Sequence, residues 1–315
     1  MARVRILFSS DFHGNEVVWR KFLNSATIFK VDVLLMGGDM TGKVLLPIVK
    51  TDDGRYESYF QRRNQVLTEE QLPEFKKKAA NHSLIPYVCS KGEHEELNRS
   101  HEFVEKVFER AEVESIREWC ALIPQKVPNN VKVIIHSGND DKFAIDEVLK
   151  GHPSVIFAEE DVIDLDGEHE AACCSWANPT PWNSPRECSE EELEQKLERI
   201  ISKIRRMKTA LFCFHVPPYG SGIDRAPLLD KEFRPIYEQG TPVYVPVGSK
   251  AVRKMIEKYQ PLLGLHGHIH ESPGMYKIGR TQCLNPGSEY GEGLLKAFIL
   301  ELEGTKIVRQ QRMEG

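Results

Sequence analysis

A chain of 315 residues, 40% of them hydrophobic, is long enough to bury one large core or two ordinary ones, and reads as a globular protein. Its formal net charge of -5 argues against a broad basic face for duplex DNA or an anionic membrane, although nucleic acid is not thereby excluded as a substrate. Seven cysteines without C-x-x-C spacing read as reduced core thiols, and no run approaches the roughly 18 apolar residues of a membrane span, so a cytoplasmic chain with no membrane partner is expected.

The opening VRILFSSD reads as a buried strand running into a polar loop, GNEVVWRKFLNSATIFK as a helix, and VDVLLMGGDM as a second strand ending in Gly-Gly-Asp. Such a β-α-β unit puts the carboxyl ends of two parallel strands on one sheet edge, so Asp11, His13 and Asp39 are expected to converge there. From about residue 43 to 130 the texture turns charged, and SHEFVEKVFERAEVESIREWCALI reads as an amphipathic helix. This stretch is predicted to be a helical insertion, its long helix covering a small core of the insertion's own.

Strand patterning resumes at VKVIIHSGND, then at SVIFAEEDVIDLDG and EAACCSW, which are expected in a second sheet with Cys173 and Cys174 in its interior. A Pro- and aromatic-rich loop, ANPTPWNSPRE, follows. Ser189 with Glu192 three residues on is a capping box that predicts a helix start. The chain continues with TALFCFHVPP and QPLLGLHGHIHES, and closes with two strands, LKAFILELEG and TKIVRQQ, joined by a Gly-containing turn.

Five short blocks stand at the ends of apolar runs: Asp11-Phe12-His13, Gly38-Asp39, Gly138-Asn139-Asp140-Asp141, Phe214-His215, and Gly267-His268-Ile269-His270. In this order they resemble the calcineurin-like metallophosphoesterases, whose signature is DxH, GD, GNH[DE], a His, then GHxH. NPTPWN, HVPPYG and NPGSEYGEG further resemble a prokaryotic subgroup of that family.

The resemblance implies an α/β fold of two packed sheets flanked by helices, a single domain over 1-315, and two divalent ions from among Mn, Fe, Zn and Ni. One ion is implied at Asp11, His13 and His270 and the other at Asn139, His215 and His268, with Asp39 bridging both. Mixed carboxylate, imidazole and amide donors suit such borderline ions better than a dedicated Ca²⁺ or Mg²⁺ site. The implied chemistry is hydrolysis of a small phosphoester, mono- or diester, by in-line attack of a metal-bridging hydroxide. A catalytically reduced metal-binding scaffold of the same fold and a nuclease are the competing readings.

Asp39, Asn139 and Asp140 are the expected catalytic residues. Asp140 departs from the pattern, because the family usually carries His there. An ionised Asp cannot donate a proton to a leaving group, whereas a carboxyl with a raised pKa can. A second GNH-like stretch, Gly92 to Glu96 with His94, reads instead as the start of a helix. His136 and His266 read as core or supporting residues, Asn285 to Ser288 as a turn that either is plain or offers backbone N-H groups to a phosphate, and Trp182, Tyr219 and Arg225 as loop residues that either shape substrate entry or, for the Trp and Tyr, serve in packing.

Overall fold

The computed structural model describes residues 3–315. β1 (Val4–Ser9) and β2 (Val33–Gly37) are almost wholly buried, as parallel strands covered on both faces must be. Between them α1 (Glu16–Ile28) begins at Asn15, whose side chain accepts from the Val18 N-H.

The segment that follows carries more than helices. β3 (Val44–Lys50), β4 (Tyr56–Phe60), β5 (Arg63–Leu67), α2 (Leu72–Ala80), β6 (Leu84–Cys89) and α3 (Lys91–Leu97) form a unit whose four strands run in the order β5-β4-β3-β6. This corrects the expectation of a helical insertion. The YESYF stretch alternates strictly, with Tyr56, Ser58 and Phe60 turned inward and Glu57 and Tyr59 outward, so its charge marks a solvated sheet face. Ile48, Tyr56, Phe60 and Phe75 make its small core.

α4 (His101–Lys126) is a second correction, because its carboxyl-terminal half packs on the main body. Ile116, Trp119, Cys120 and Ile123 join Trp19, Phe22 and Ile135 in one core, Trp119 lies 5.1 Å from Trp19 and stacked on it, and Trp19 Nε1 donates to the Trp119 carbonyl at 3.0 Å. The added unit therefore ends near α3.

β7 (Lys132–His136), α5 (Ala144–Gly151) and β8 (Ile156–Phe157) complete the first half. β8 pairs with β7, so the SVIF segment lies in the first sheet and not in the second as expected. β9 (Asp161–Asp164), β10 (Glu170–Cys174), α6 (Glu190–Ile201) and β11 (Leu211–Phe214) open the second half. α6 starts at the Ser189/Glu192 capping box. After it come two short ladders, β12 (Arg225–Pro227) with β15 (Tyr244–Pro246) and β13 (Tyr237–Glu238) with β14 (Thr241–Pro242). α7 (Lys250–Tyr259), β16 (Leu263–Leu265), β17 (Gly274–Ile278) and β18 (Thr281–Asn285) follow, and β19 (Lys296–Glu303) with β20 (Lys306–Glu314) form the expected terminal hairpin.

The main sheets are β20-β19-β1-β2-β7-β8 and β17-β18-β16-β11-β10-β9. Register aligns Phe8, Leu35 and Ile134 across the first and Cys173, Cys213, Leu265 and Leu284 across the second, and these two rows meet in the central core. α1, α4 and α5 cover the outer face of the first sheet, while α6 and α7 cover the second with Leu193, Leu197, Val252 and Met255. The fold is an α/β/β/α sandwich. Among the described residues no helix is long and apolar enough to cross a membrane.

Candidate metal centre

Every ligand-type side chain singled out by motif lies just past the carboxyl end of a parallel strand: Asp11 and His13 after β1, Asp39 after β2, Asn139 after β7, His215 after β11, and His268 and His270 after β16. Strands from both sheets thus deliver side chains to one edge of the sandwich. Four of these residues, Asp11, His13, Asp39 and His268, have left-handed backbones with φ of 62°, 43°, 54° and 66°. Such conformations cost about 1–3 kcal/mol each and persist where the surroundings over-determine them. Here Asp11 N donates to the Gly38 carbonyl at 2.9 Å, His13 N to the Asp39 carbonyl at 3.0 Å, and His268 N to Asp11 Oδ1 at 3.0 Å.

Close approach needs glycine at two of the turns. A Cβ on Gly138 would meet Asp39 Oδ1 at 2.1 Å, and one on Gly267 would meet Asp11 Oδ2 at 2.4 Å. The motif glycines therefore let backbone come within contact distance of the carboxylates.

Asp11, His13, Asp39 and His270 place donor atoms within 4.8 Å of one another, and Asp39, His215 and His268 form a second such group, so Asp39 is common to both. His13 Nε2 and His270 Nε2 are 3.0 Å apart, and His268 Nδ1 is 2.7 Å from Asn139 Oδ1. His215 donates Nδ1-H to the Gly37 carbonyl at 2.7 Å, which turns its Nε2 lone pair inward. That Nε2 is buried without a hydrogen-bond partner, 3.3 Å from Asp39 Oδ2. A buried imidazole lone pair aimed at carboxylates and other imidazoles is a donor set that suits a divalent cation.

The electrostatics point the same way. Burial, then the Asp140 and Asp11 carboxylates, push Asp39 up to about 6, while burial and His215 pull His268 down to about 3. Against burial, the Asp39 and Asp11 carboxylates push His215 up to about 10, so the cluster as a whole attracts positive charge that an inserted cation would supply in place of a proton.

Asp140 is an ion-paired anion. Lys43 Nζ lies 2.5 Å from its Oδ2, and Ser184 Oγ donates to its Oδ1 at 2.6 Å. Burial would raise this carboxyl, but Lys43, His13 and Ser184 hold it well below the usual carboxylate range. Asn139 Nδ2 also donates to Asp140 Oδ1, at 2.9 Å, which directs the amide oxygen of Asn139 toward His268.

Several further residues brace this edge. Asp141, fully buried, accepts from Met40 N, Thr41 N, Thr41 Oγ1 and Gly138 N at 2.9–3.2 Å, stitching the second motif loop to the third. Arg186, also buried, donates from Nε to the Asp141 carbonyl and from its Nη atoms to Asp146. The Tyr290 ring packs 4.7 Å from His13 and 5.7 Å from His270.

The remaining candidates are placed elsewhere or otherwise engaged. His136 and His266 are buried, each bound through Nδ1 to a backbone carbonyl, and burial pulls them down to about 3 and about 4. In the Asn285–Ser288 turn, Gly287 N donates to Asn285 Oδ1 and Ser288 N to the His270 carbonyl, so these N-H groups brace the turn and are not free for a phosphate. Ser288 Oγ donates to the Asp11 carbonyl at 2.6 Å. Trp182 is exposed and packs on Phe233, Tyr219 borders the exposed surface, and Arg225 donates to the Tyr244 carbonyl. His94 lies within α3, whose first turn is closed by the Ser90/Glu93 capping box.

Behind Thr41, α4 buries Glu112 with its Oε2 unpartnered. Burial, with Asp141 and Glu105 adding to it, pushes this carboxyl from its ordinary 4.5 up to about 8 against the opposing Lys142 charge and Thr41 hydrogen bond. Between those pH values the folded chain binds a proton that the unfolded chain releases, so stability falls as pH rises across that window, at up to about 1.4 kcal/mol per pH unit. Glu112→Gln is expected to remove this slope, giving a larger gain in Tm at pH 8 than at pH 5. An equal change at both pH values would contradict a neutral buried carboxyl.

The sequence profile of the calcineurin-like phosphoesterases matches residues 4–272. An uncharacterized protein of Methanocaldococcus jannaschii is 32% identical over 164 residues, which are 51% of this chain and 62% of that one, so the chain spans less than two thirds of this relative. A solved crystal structure superposes over 99% of both chains with a TM-score of 0.59 at 18% identity. The crystal structure of a Thermus thermophilus protein superposes over 98% of this chain and 99% of its own with a TM-score of 0.57 at 13% identity. These two structures share the fold.

Proposed function

Because the chain belongs to the calcineurin-like phosphoesterase family, we propose that its Asp/His cluster holds two divalent cations and hydrolyses a small phosphodiester. Asp11, His13 and His270 would hold one ion, Asn139, His215 and His268 the other, and Asp39 both. When bound, the ions supply Lewis acidity toward the phosphoryl oxygens and an activated water for in-line attack. The observation that carries this reading is the sharing of Asp39 between two donor groups, each within 4.8 Å.

Ion pairing of Asp140 favours a diester over a monoester. A carboxylate held by Lys43 and Ser184 has no proton to give a departing alkoxide, so substrates with weakly basic leaving groups suit the site. A diester also brings one negative charge, where a monoester dianion brings two toward the same carboxylate.

Chelator-stripped protein reloaded separately with Mn²⁺, Fe²⁺, Zn²⁺ or Ni²⁺ is expected to bind two ions per chain and to turn over bis(p-nitrophenyl) phosphate faster than p-nitrophenyl phosphate. No turnover of either ester with any ion would end the hydrolase reading. Binding also has a thermal signature independent of activity: an ion at about 100 times its Kd should add about 2.7 kcal/mol of stability, and EDTA should reverse the rise in Tm. An unmoved Tm would mean that the left-handed loops hold no cation.

A further inference from the structure

The position that usually carries His in the third motif faces an ammonium here. We propose that Lys43, held beside the metal-ligand cluster by Asp140, binds a phosphoryl oxygen of the substrate, so that a lysine–aspartate pair takes over the phosphate contact; this rests on the phosphodiesterase reading above.

Both oxygens of Asp140 are occupied in a way that orients two partners. Oδ1 takes Ser184 Oγ at 2.6 Å and Asn139 Nδ2 at 2.9 Å, while Oδ2 meets Lys43 Nζ at 2.5 Å. One carboxylate thus sets the Asn139 amide and the Lys43 ammonium together. An ammonium has three N-H donors, and Asp140 is the one partner that Lys43 has among the described residues. Two donors stay free on a side chain that is 45% exposed, open to an incoming anion.

The Lys43 charge bears on His13, His270 and Asp39, all members of the first donor group, so the ammonium stands beside that half of the cluster. Its backbone is anchored by the sheet that follows. Lys43 immediately precedes β3, and Val44 pairs with Leu84 of β6, so the added four-stranded unit fixes where the lysine stem begins. That unit thereby gains a role in substrate binding. Asp140 acts through Lys43 and Asn139 as a positioning residue.

The test uses the full chain loaded with Mn²⁺ and inorganic phosphate as the probe, by calorimetry and by inhibition of diester turnover. Lys43→Ala should weaken phosphate binding and raise KM by roughly 10- to 100-fold, the loss of one charge-assisted hydrogen bond, with metal content unchanged. Lys43→Arg should restore part of the loss. Asp140→Asn should weaken phosphate binding too, and the Lys43→Ala/Asp140→Asn double variant should bind phosphate no worse than Lys43→Ala alone. Wild-type phosphate affinity and KM in Lys43→Ala would overturn the proposal while leaving the hydrolase reading intact. Lys43-dependent phosphate binding in a chain that turns over no ester would leave the clamp standing and remove the hydrolase reading. Loaded wild-type protein that neither binds phosphate nor turns over ester would sink both.

Discussion

Asp39→Asn is expected to lower turnover by about three orders of magnitude and to reduce the metal content below two ions per chain. On the proposed assignment of Asp39 to both ions, its removal forfeits several kcal/mol of charge stabilisation, at about 1.4 kcal/mol per tenfold in rate. Asp39 is 2% exposed, with Oδ2 lying 3.3 Å from His215 Nε2 and 3.6 Å from His13 Nε2. Its Oδ1 accepts the Asp140 N-H at 3.0 Å, so an Asn oxygen can keep that bond only by turning its NH₂ toward the two imidazoles. That orientation withdraws the ligand atom.

Folding is not expected to suffer comparably, because the left-handed φ of 54° is one that Asn tolerates as well as Asp. Metal analysis and Tm on the same preparation therefore separate a lost ligand from a lost fold. Asp39→Asn protein that retains two ions and wild-type turnover would show that the carboxylate does not bridge.

The ligand-type residues were legible because five ordered blocks resemble one family's signature, and because each block sits a few positions past an apolar, β-rich run. VRILFSS, VLLMG and VIIHS announce buried strands, and the polar residue that ends each run falls at the sheet edge by strand geometry alone. The α6 capping box was legible for a similar reason, since Ser189 and Glu192 act within one turn. Nothing local marks α4 as part of the main core: its stripe is amphipathic either way, and the partner that decides the matter is Trp19, 100 residues upstream. The insertion's strands were hidden by charge, since Arg62, Arg63 and Asn64 lie at an exposed hairpin where period-2 alternation is interrupted. Lys43, Ser184 and Arg186 were missed because each serves the third motif across at least 40 residues of chain, a pairing that only the folded sheets create.

Arg186→Met is expected to cost about 3–5 kcal/mol of stability, the usual penalty for stranding a buried charge. Arg186 is 1% exposed, and its guanidinium spans the third motif loop, giving Nε to the Asp141 carbonyl at 2.8 Å, Nη2 to the Lys142 carbonyl at 3.3 Å, and Nη2 and Nη1 to Asp146 at 2.6 and 3.2 Å. Its backbone N-H donates to the Asn139 carbonyl at 3.1 Å, and the Phe143 ring lies 4.4 Å beneath the guanidinium carbon. Met fills much of the volume but leaves Asp146 with Ser137 Oγ as its remaining partner and the Asp141 carbonyl without a donor, while the Lys142 carbonyl keeps the Ile145 N-H.

Arg186→Lys should rescue little, because a single ammonium cannot reach three acceptors spread around a planar fork. Adding Asp146→Asn to Arg186→Met should recover part of the loss, since no unpaired charge then remains, and this separates the electrostatic penalty from lost packing. The same variants should weaken metal binding, because the clamp holds the backbone that immediately follows Asn139. Urea unfolding followed by Mn²⁺ titration reads both effects: a stability change within about 0.5 kcal/mol, the range of ordinary surface substitutions, would mean that Arg186 does not secure the loop.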